Sequence, residues 1–339
     1  MEGRPRLTVL GSLNMDISVA VERLPAPGET VLGPAAVIAP GGKGANQAVA
    51  AARLGAAVRM AGCTGADDFG GALVAALAAE GVDVGAVRAV AGYATGMALI
   101  TVDAMGENVI TVAAGANGQA GSAEAEAALG SACDLLIVSA EIPVAVVAAV
   151  LTGARAAGTP CLLNLAPAPR DAAGLLSGGV DWLVVNESEA AAILGRPVAG
   201  MTGALTAAGD LRRLGARNAV VTAGANGAAL ASDDGAAPGG GGAAPGGLGA
   251  APGRGQPDRA GLVAVAGLSV RSVDAVGAGD AFVAALGVTL AAGLPAVQAA
   301  RAAGAAGATA TTRHGTQDAL PRPGDIFAAT GLAWPLAPR

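Results

Sequence analysis

Short apolar runs alternate with longer alanine-rich stretches along most of the chain. That order predicts an α/β fold, a mostly parallel sheet joined by crossover helices. Leu7–Leu13, Val58–Cys63, Leu135–Ser139, Cys161–Asn164, Trp182–Asn186, Ala219–Thr222 and Ala228–Ala231 read as strands. Lys43–Leu54, Gly70–Glu80, Val144–Ala157, Glu187–Leu194 and Thr206–Leu214 read as helices, followed by Gly55, Gly81, Gly158, Gly195 and Gly215 as stop signals. The uncharged stretch from Ala281 to Ala300 contains Gly287, Gly293 and Pro295, so it predicts two packed helices rather than one membrane span.

Two regions break the alternation. Residues 17–40 and 97–113 hold strand-like segments, among them Met97–Val102 and Asn108–Ala113, with turn residues and no helix between. They predict a small antiparallel sheet outside the main one, placed as a lid. Residues 235–257 are a Gly/Pro/Ala-rich insertion with ten Gly and four Pro. Such a segment has too little apolar surface to offset its ordering entropy, so disorder is expected, inserted into a single domain spanning 1–339.

Composition narrows the chemistry. The 339 residues are 53% apolar and 14% charged, with 20 Lys+Arg against 26 Asp+Glu and a formal net charge of −6. No basic stripe exists to neutralise a phosphate backbone, so nucleic acid is not an expected partner. Met1–Arg6 lacks the charged-then-apolar pattern of a signal peptide, which points to the cytoplasm, with no membrane partner. His314 is the one histidine, which excludes multi-histidine zinc sites, and Cys63, Cys133 and Cys161 form no C-x-x-C, so they read as reduced thiols. Carboxylates, backbone amides, Asn and Lys are left to carry any reaction.

Four segments have that chemistry. Gly277-Ala278-Gly279-Asp280 opens an apolar helix, where successive amides and the helix dipole suit a phosphate or developing anion and Asp280 is placed as a general base. Taken alone, it reads as well as a glycine turn with an acidic cap. Gly41-Gly42-Lys43-Gly44-Ala45-Asn46 again leads glycines into a helix, now with a cation. Val37 and Gly44 rule out a Walker A loop, and Gln47 rules out the dinucleotide fingerprint. Asn14 and Asp16, two apart in an extended segment past the first strand, present an amide and a carboxylate to one side, as paired sugar hydroxyls require. Asn186 and Glu189 are oxygen ligands three apart at a helix start, suited to magnesium through its waters, or to an ordinary capping role.

Taken in order, these segments resemble the ribokinase branch of the carbohydrate kinase family that also holds fructokinase and adenosine kinase. The resemblance covers about residues 7–330 and rests on G-S-L-N-M-D at 11–16, P-A-P-G-E-T at 25–30 and G-G-K-G-A-N-Q-A at 41–48. It continues through A-G-A-N at 114–117, N-L-A-P-A-P at 164–169, N-E-S-E at 186–189 and V-D-A-V-G-A-G-D-A-F at 273–282. It implies a Rossmann-like mostly parallel sheet flanked by helices, and ATP-dependent phosphorylation of D-ribose at O5. By position, it implies Asp280 as base, with the amides of Ala278, Gly279 and Asp280, at the helix start that Gly277 opens, as the anion hole. Asn14, Asp16, Gly41, Gly42, Lys43, Asn46 and Glu141 become the sugar contacts, and Asn186, Thr222, Gly224, Gly227 and Gly279 the nucleotide contacts. Magnesium would lie by Asn186 and Glu189, potassium by Asp274, Val276, Thr311 and Gly315, and two copies would pair through the lid. Ala275, Ala281, Ala223 and Gly304 depart from the family pattern without touching Asp280 or the sugar residues. Another sugar or nucleoside as acceptor, or a catalytically silent sugar sensor on the same scaffold, are the alternatives at this point.

Overall fold

A computed structural model describes residues 3–105, 107–233 and 261–336. In chain order the elements are β1 (Arg6–Leu10), β2 (Asn14–Ala20), β3 (Ala36–Gly41), α1 (Lys43–Arg53), β4 (Ala57–Gly65), α2 (Asp68–Ala79), β5 (Asp83–Val90), β6 (Gly96–Val102) and β7 (Asn108–Ala113). There follow α3 (Ser122–Leu129), β8 (Leu135–Ser139), α4 (Val144–Ala157), β9 (Cys161–Asn164), α5 (Ala172–Ser177), β10 (Val180–Asn186), α6 (Glu187–Leu194), α7 (Gly200–Arg213), β11 (Ala216–Thr222) and β12 (Gly227–Ala231). The last four are β13 (Leu262–Ala266), α8 (Ala278–Ala291), α9 (Ala296–Ala310) and α10 (Pro323–Thr330).

The main sheet runs β13-β12-β11-β10-β9-β8-β1-β4-β5 and is parallel from β11 to β5, with β12 antiparallel to both its neighbours. Val- and Leu-rich strands such as Leu135–Ser139 are buried throughout, as a sheet covered on both faces demands. One apolar layer packs α1, α8 and α9 on the sheet and the other packs α4 and α7. The α8 helix is buried from Asp280 to Thr289, so alanine, the best helix former and a small one, suits its close packing against α9. Gly293 and Pro295 do separate two helices here, and no helix among the described residues is long and apolar enough to cross a membrane.

The second sheet has the order β3-β2-β6-β7: two antiparallel hairpins, β2/β3 and β6/β7, joined along a parallel β2/β6 seam. The run expected as one strand to Leu13 ends at Leu10. The chain crosses into the small sheet at Asn14, so that sheet begins earlier than the apolar pattern indicates. β5 and β13 were also not anticipated; β5 alternates half-buried and exposed positions with little apolar bulk.

The expected insertion, 235–257, lies outside the described residues. Its described flanks, Ser232 and Gly261, are joined by a backbone hydrogen bond of 3.0 Å. They sit at the edge where the parallel strands begin, because Ala231 pairs with Ala219 and Ala228 with Thr222. Cys63 and Cys161 are buried and Cys133 half-buried, all three as free thiols. Burial, with Glu124 adjacent, pushes the Cys63 thiol up to about 12.

Candidate active site

Chain order reverses direction between β1 and β8, and an open α/β sheet makes a crevice at such a point, beyond the carboxyl ends of its strands. The two loops that open there are already joined: Ser12 Oγ donates to Glu141 Oε2 at 2.6 Å. The first turn of α1 packs over them. The Lys43 amide lies 3.4 Å from Glu141 Oε2, and its ammonium 4.0 Å from Oε1. Burial alone would lower the Lys43 pKa, but Asp280, Glu141, Glu189 and Asp16 surround it and hold it raised, so the side chain is a fixed cation.

Asp280, in the first turn of α8, is 8% exposed. Its Oδ2 accepts from Asn46 Nδ2 at 2.9 Å and its Oδ1 from Gln47 Nε2 at 3.0 Å. Gln47 Nε2 also donates to Asn164 Oδ1 at 2.9 Å, and Gln47 Oε1 is buried without a partner. Burial raises the Asp280 pKa; Lys43 and the two amides oppose that rise and Glu141 adds to it. At the helix start, the Ala278 amide turns back to Ala275 O at 3.3 Å and Ala281 takes the Gly277 carbonyl at 2.9 Å. The amides of Gly279 and Asp280 are left without a backbone acceptor. Of the three amides expected to receive an anion, these two are unspent.

Of the residues expected on the sugar side, Asn14, Asp16 and Gly41 come from the small sheet. Asn14 and Asp16 are buried on one face of β2, and Gly41 and Gly96 pair opposite Asn14. A side chain at Gly41 would run into the Asp16 carboxylate, and one at Gly96 into the amides of Asn14 and Asn117. Asn14 Oδ1 accepts from Asn117 Nδ2 at 2.7 Å, while Asn117 Oδ1 accepts from the Leu13 amide at 2.9 Å. Asn117 therefore fixes which end of the Asn14 amide faces outward. Asp16 Oδ2 accepts from Thr316 Oγ1 at 3.3 Å. Burial first, then Glu141 and Asp280, push Asp16 up to about 6 against the opposing Thr316 and Lys43.

One crevice of about 200 Å³ brings together Lys43, Asn164, Asn186, Glu189, Thr222, Ala275, Gly277, Gly279 and Asp280. Asn186 and Glu189 do form the capping arrangement: Asn186 Oδ1 accepts from the Glu189 amide and Glu189 Oε2 from the Asn186 amide, both at 2.8 Å. Glu189 Oε1 remains for the crevice, and burial raises its carboxyl pKa against the Asn186 amide and Lys43. Gly224 and Gly227 lie in the turn that follows Thr222, at the same end of the sheet. Asp274 Oδ1 accepts from the Val276 amide at 3.0 Å and Oδ2 from Gly315 at 3.1 Å. The Thr311 carbonyl takes the amides of Val273 and Asp274 at 2.7 and 3.2 Å. A larger surface hollow, about 480 Å³, lies near Arg271, Thr312, Arg313 and Asp325 and contains none of the expected site residues.

Motif reading missed the roles of Ser12, Gln47, Asn117, Asn164, Thr316 and Gln317. Asn117 and Asn164 do lie inside recognised segments, 114–117 and 164–169, where the segment gave the signal and the fold gave the contact. Thr316 and Gln317 had no local signal at all.

A family model described as pfkB family carbohydrate kinase matches residues 4–323. A ribokinase of Schizosaccharomyces pombe is 33% identical over 326 residues, covering 93% of this chain and 94% of that protein. One from Haemophilus influenzae is 40% identical over 227 residues, covering 66% and 74%. The solved structure of Arabidopsis thaliana ribokinase complexed with ribose and ATP superposes with a TM-score of 0.78 at 27% identity, over 96% of this chain and 98% of that one.

Proposed function

The chain belongs to the pfkB family of carbohydrate kinases, and from that premise we propose that it transfers the terminal phosphoryl group of ATP to the 5-hydroxyl of D-ribose, giving ribose 5-phosphate. The ribokinases it resembles over most of its length support ribose as the acceptor. The observation that carries the mechanism is Asp280: a buried carboxylate at a helix start, held by two amides in the crevice shared with Lys43 and Glu189.

Phosphoryl transfer asks for positioning and charge stabilisation rather than covalent help from the protein. Asp280 takes the proton of the sugar hydroxyl as that oxygen bonds to phosphorus and the bond to the leaving ADP oxygen breaks. Its raised pKa makes it a better proton acceptor than an exposed carboxylate. The amides of Gly279 and Asp280, the α8 dipole and the Lys43 ammonium face the charge on the transferred group. Asn14, Asp16, Gly41, Gly42, Lys43, Asn46 and Glu141 form the sugar side, and Asn186, Thr222, Gly224, Gly227 and Gly279 the nucleotide side.

Magnesium suits the Asn186–Glu189 corner, where Glu189 keeps one oxygen free of the cap, and would neutralise phosphate charge there. Potassium suits the oxygens of Asp274, Val276, Thr311 and Gly315, where it would brace the loop beside the anion hole. The protein acts in the cytoplasm as a homodimer joined through the small sheet. That sheet exposes Val37, Ile110 and Val112 on the side that carries Asp16 and Ile38, Leu99 and Val109 on the other, apolar area that a second copy would cover.

The test is ADP release from ATP and magnesium with a panel of sugars and nucleosides, each with and without potassium. Ribose-dependent turnover is expected. Response to a different sugar alone would overturn the acceptor, and silence across the panel would leave a sugar sensor.

Asp16 carries a linked prediction. Its folded pKa of about 6 exceeds the ordinary 3.8, so its proton is held more tightly in the folded state. Its contribution to stability is full below 3.8 and is lost as pH rises through 6. The ionised group then costs the fold roughly 3 kcal/mol. Asp16→Asn is expected to raise Tm at pH 7.5 while raising the ribose KM about 10–100-fold, the worth of a hydrogen bond to a charged acceptor. In the unsubstituted protein the ribose KM should climb as pH falls below 6. Melting curves and sugar titrations read both, and a lowered Tm with unchanged KM would refute the assignment.

A further inference from the structure

An asparagine amide has two ends of nearly equal size, so the end that faces a neighbour is decided by the other contacts of the group. Asn46 turns its NH2 to Asp280, whose carboxylate accepts and does not donate. Its oxygen is then free, and in the structure it accepts from Gln317 Nε2 at 3.2 Å. All three side chains are buried: Asn46 is 4%, Gln317 9% and Asp280 8% exposed. Water is a poor substitute partner at such a place.

Gln317 is itself anchored. Its carbonyl accepts from Arg53 Nη1 at 2.5 Å, and the same nitrogen reaches the Leu320 carbonyl at 2.8 Å. Arg53 is in turn paired with Glu80 through two contacts of 2.6 and 3.1 Å. Asn46 and Arg53 are seven residues apart on α1, hence on one face two turns apart. The 316–320 loop is thus bolted to a single helix at two levels. The upper bolt is the Gln317–Asn46 contact, and Thr316 beside it donates to Asp16.

We propose that Gln317 is a positioning residue for phosphoryl transfer, setting the polarity of the Asn46 amide so that a donor, and not an oxygen, faces Asp280. The inference rests on the reading of Asp280 as the base. Asp280 is also faced by Lys43 from α1, Asp16 from β2, Glu141 after β8 and Glu189 from α6, all of which stay in place in the variants below.

Gln317→Met is nearly isosteric, neutral and has no donor. Gln317→Glu offers only acceptor oxygens, so the Asn46 NH2 is drawn toward residue 317 and its oxygen is left against Asp280. The expected result is a fall in kcat of about tenfold for Met and about a hundredfold for Glu. In both, the acid limb of the kcat–pH profile moves to higher pH, with ATP KM unchanged. Thermal melting is recorded for each variant. A Met variant with parental kcat and parental limb would overturn the proposal. So would a lowered kcat with an unmoved limb, which is what loosened packing alone produces. Asp280→Asn in the same assay keeps the two readings apart: if it retains activity the base assignment fails, and if it is inactive while Gln317→Met is normal only the positioning role fails.

Discussion

Asp280→Asn should lower kcat by about a hundredfold or more, the usual worth of a general base, while ATP and ribose KM change little. Asparagine keeps the size of the side chain but has no carboxylate to receive the hydroxyl proton. It also presents an NH2 to a place where Asn46 and Gln47 both donate. Loss of the fold does not explain the expected rate. Burial raises the pKa of Asp280, so the charged group is costly there and a neutral replacement relieves that cost. The melting temperature should therefore hold or rise as the activity disappears. A rate within a few-fold of the parent at every pH would remove Asp280 from the mechanism and leave only its hydrogen bonds with Asn46 and Gln47.

The second large effect is expected at Gly42. Its backbone sits at φ 89° and ψ 132°, a region closed to side-chain-bearing residues. A β-carbon there would lie 2.6 Å from the Asn14 amide nitrogen and 2.9 Å from the Ser12 carbonyl, both backbone atoms that cannot swing aside. Strain and overpacking each cost about 1–3 kcal/mol. Gly42→Ala should lower Tm clearly and, by parting β2 from the start of α1, raise the ribose KM at least about tenfold. Gly71→Ala is the matched control. A methyl there meets nothing on the surface of α2, so it should be neutral or slightly stabilising. Equal melting curves for the two variants would show that the Gly42 turn is not packed tightly against Ser12–Asn14.

Much of this site was legible because its parts are local. Glycines leading into a helix leave amides without helical partners, so 277–280 and 41–46 stood out as candidate anion sites; the structure leaves the Gly279 and Asp280 amides without a backbone acceptor but ties those of Lys43 and Ala45 to Glu141 and Ser12. Asn186 and Glu189 were legible in two ways at once, and the structure realises the capping geometry while still turning both residues to the crevice. Asn14 and Asp16 were placed on one side by strand alternation. That they belong to the small sheet was not read from the sequence: the strand expected to reach Leu13 ends at Leu10, and the buried linker Gly11–Leu13 carries the chain across.

The amino-acid sequence by itself determined the α/β order of elements, the separate small sheet, the chemistry available without histidine or cysteine, and the starts of α1, α6 and α8, though not that of α7, which begins at Gly200 rather than Thr206. Those follow from periodicity, turn chemistry and side-chain type, which act over a few neighbouring residues. Only the tertiary structure decided the contacts that give these residues a direction: Gln47 and Asn46 on Asp280, Asn117 on Asn14, Thr316 on Asp16 and Gln317 on Asn46. Each pair is separated by 100 residues or more, and hydrogen bonds are satisfied within about 3 Å in space with no regard to distance along the chain. No local pattern records them; the packing of α1 and α8 on the sheet creates them.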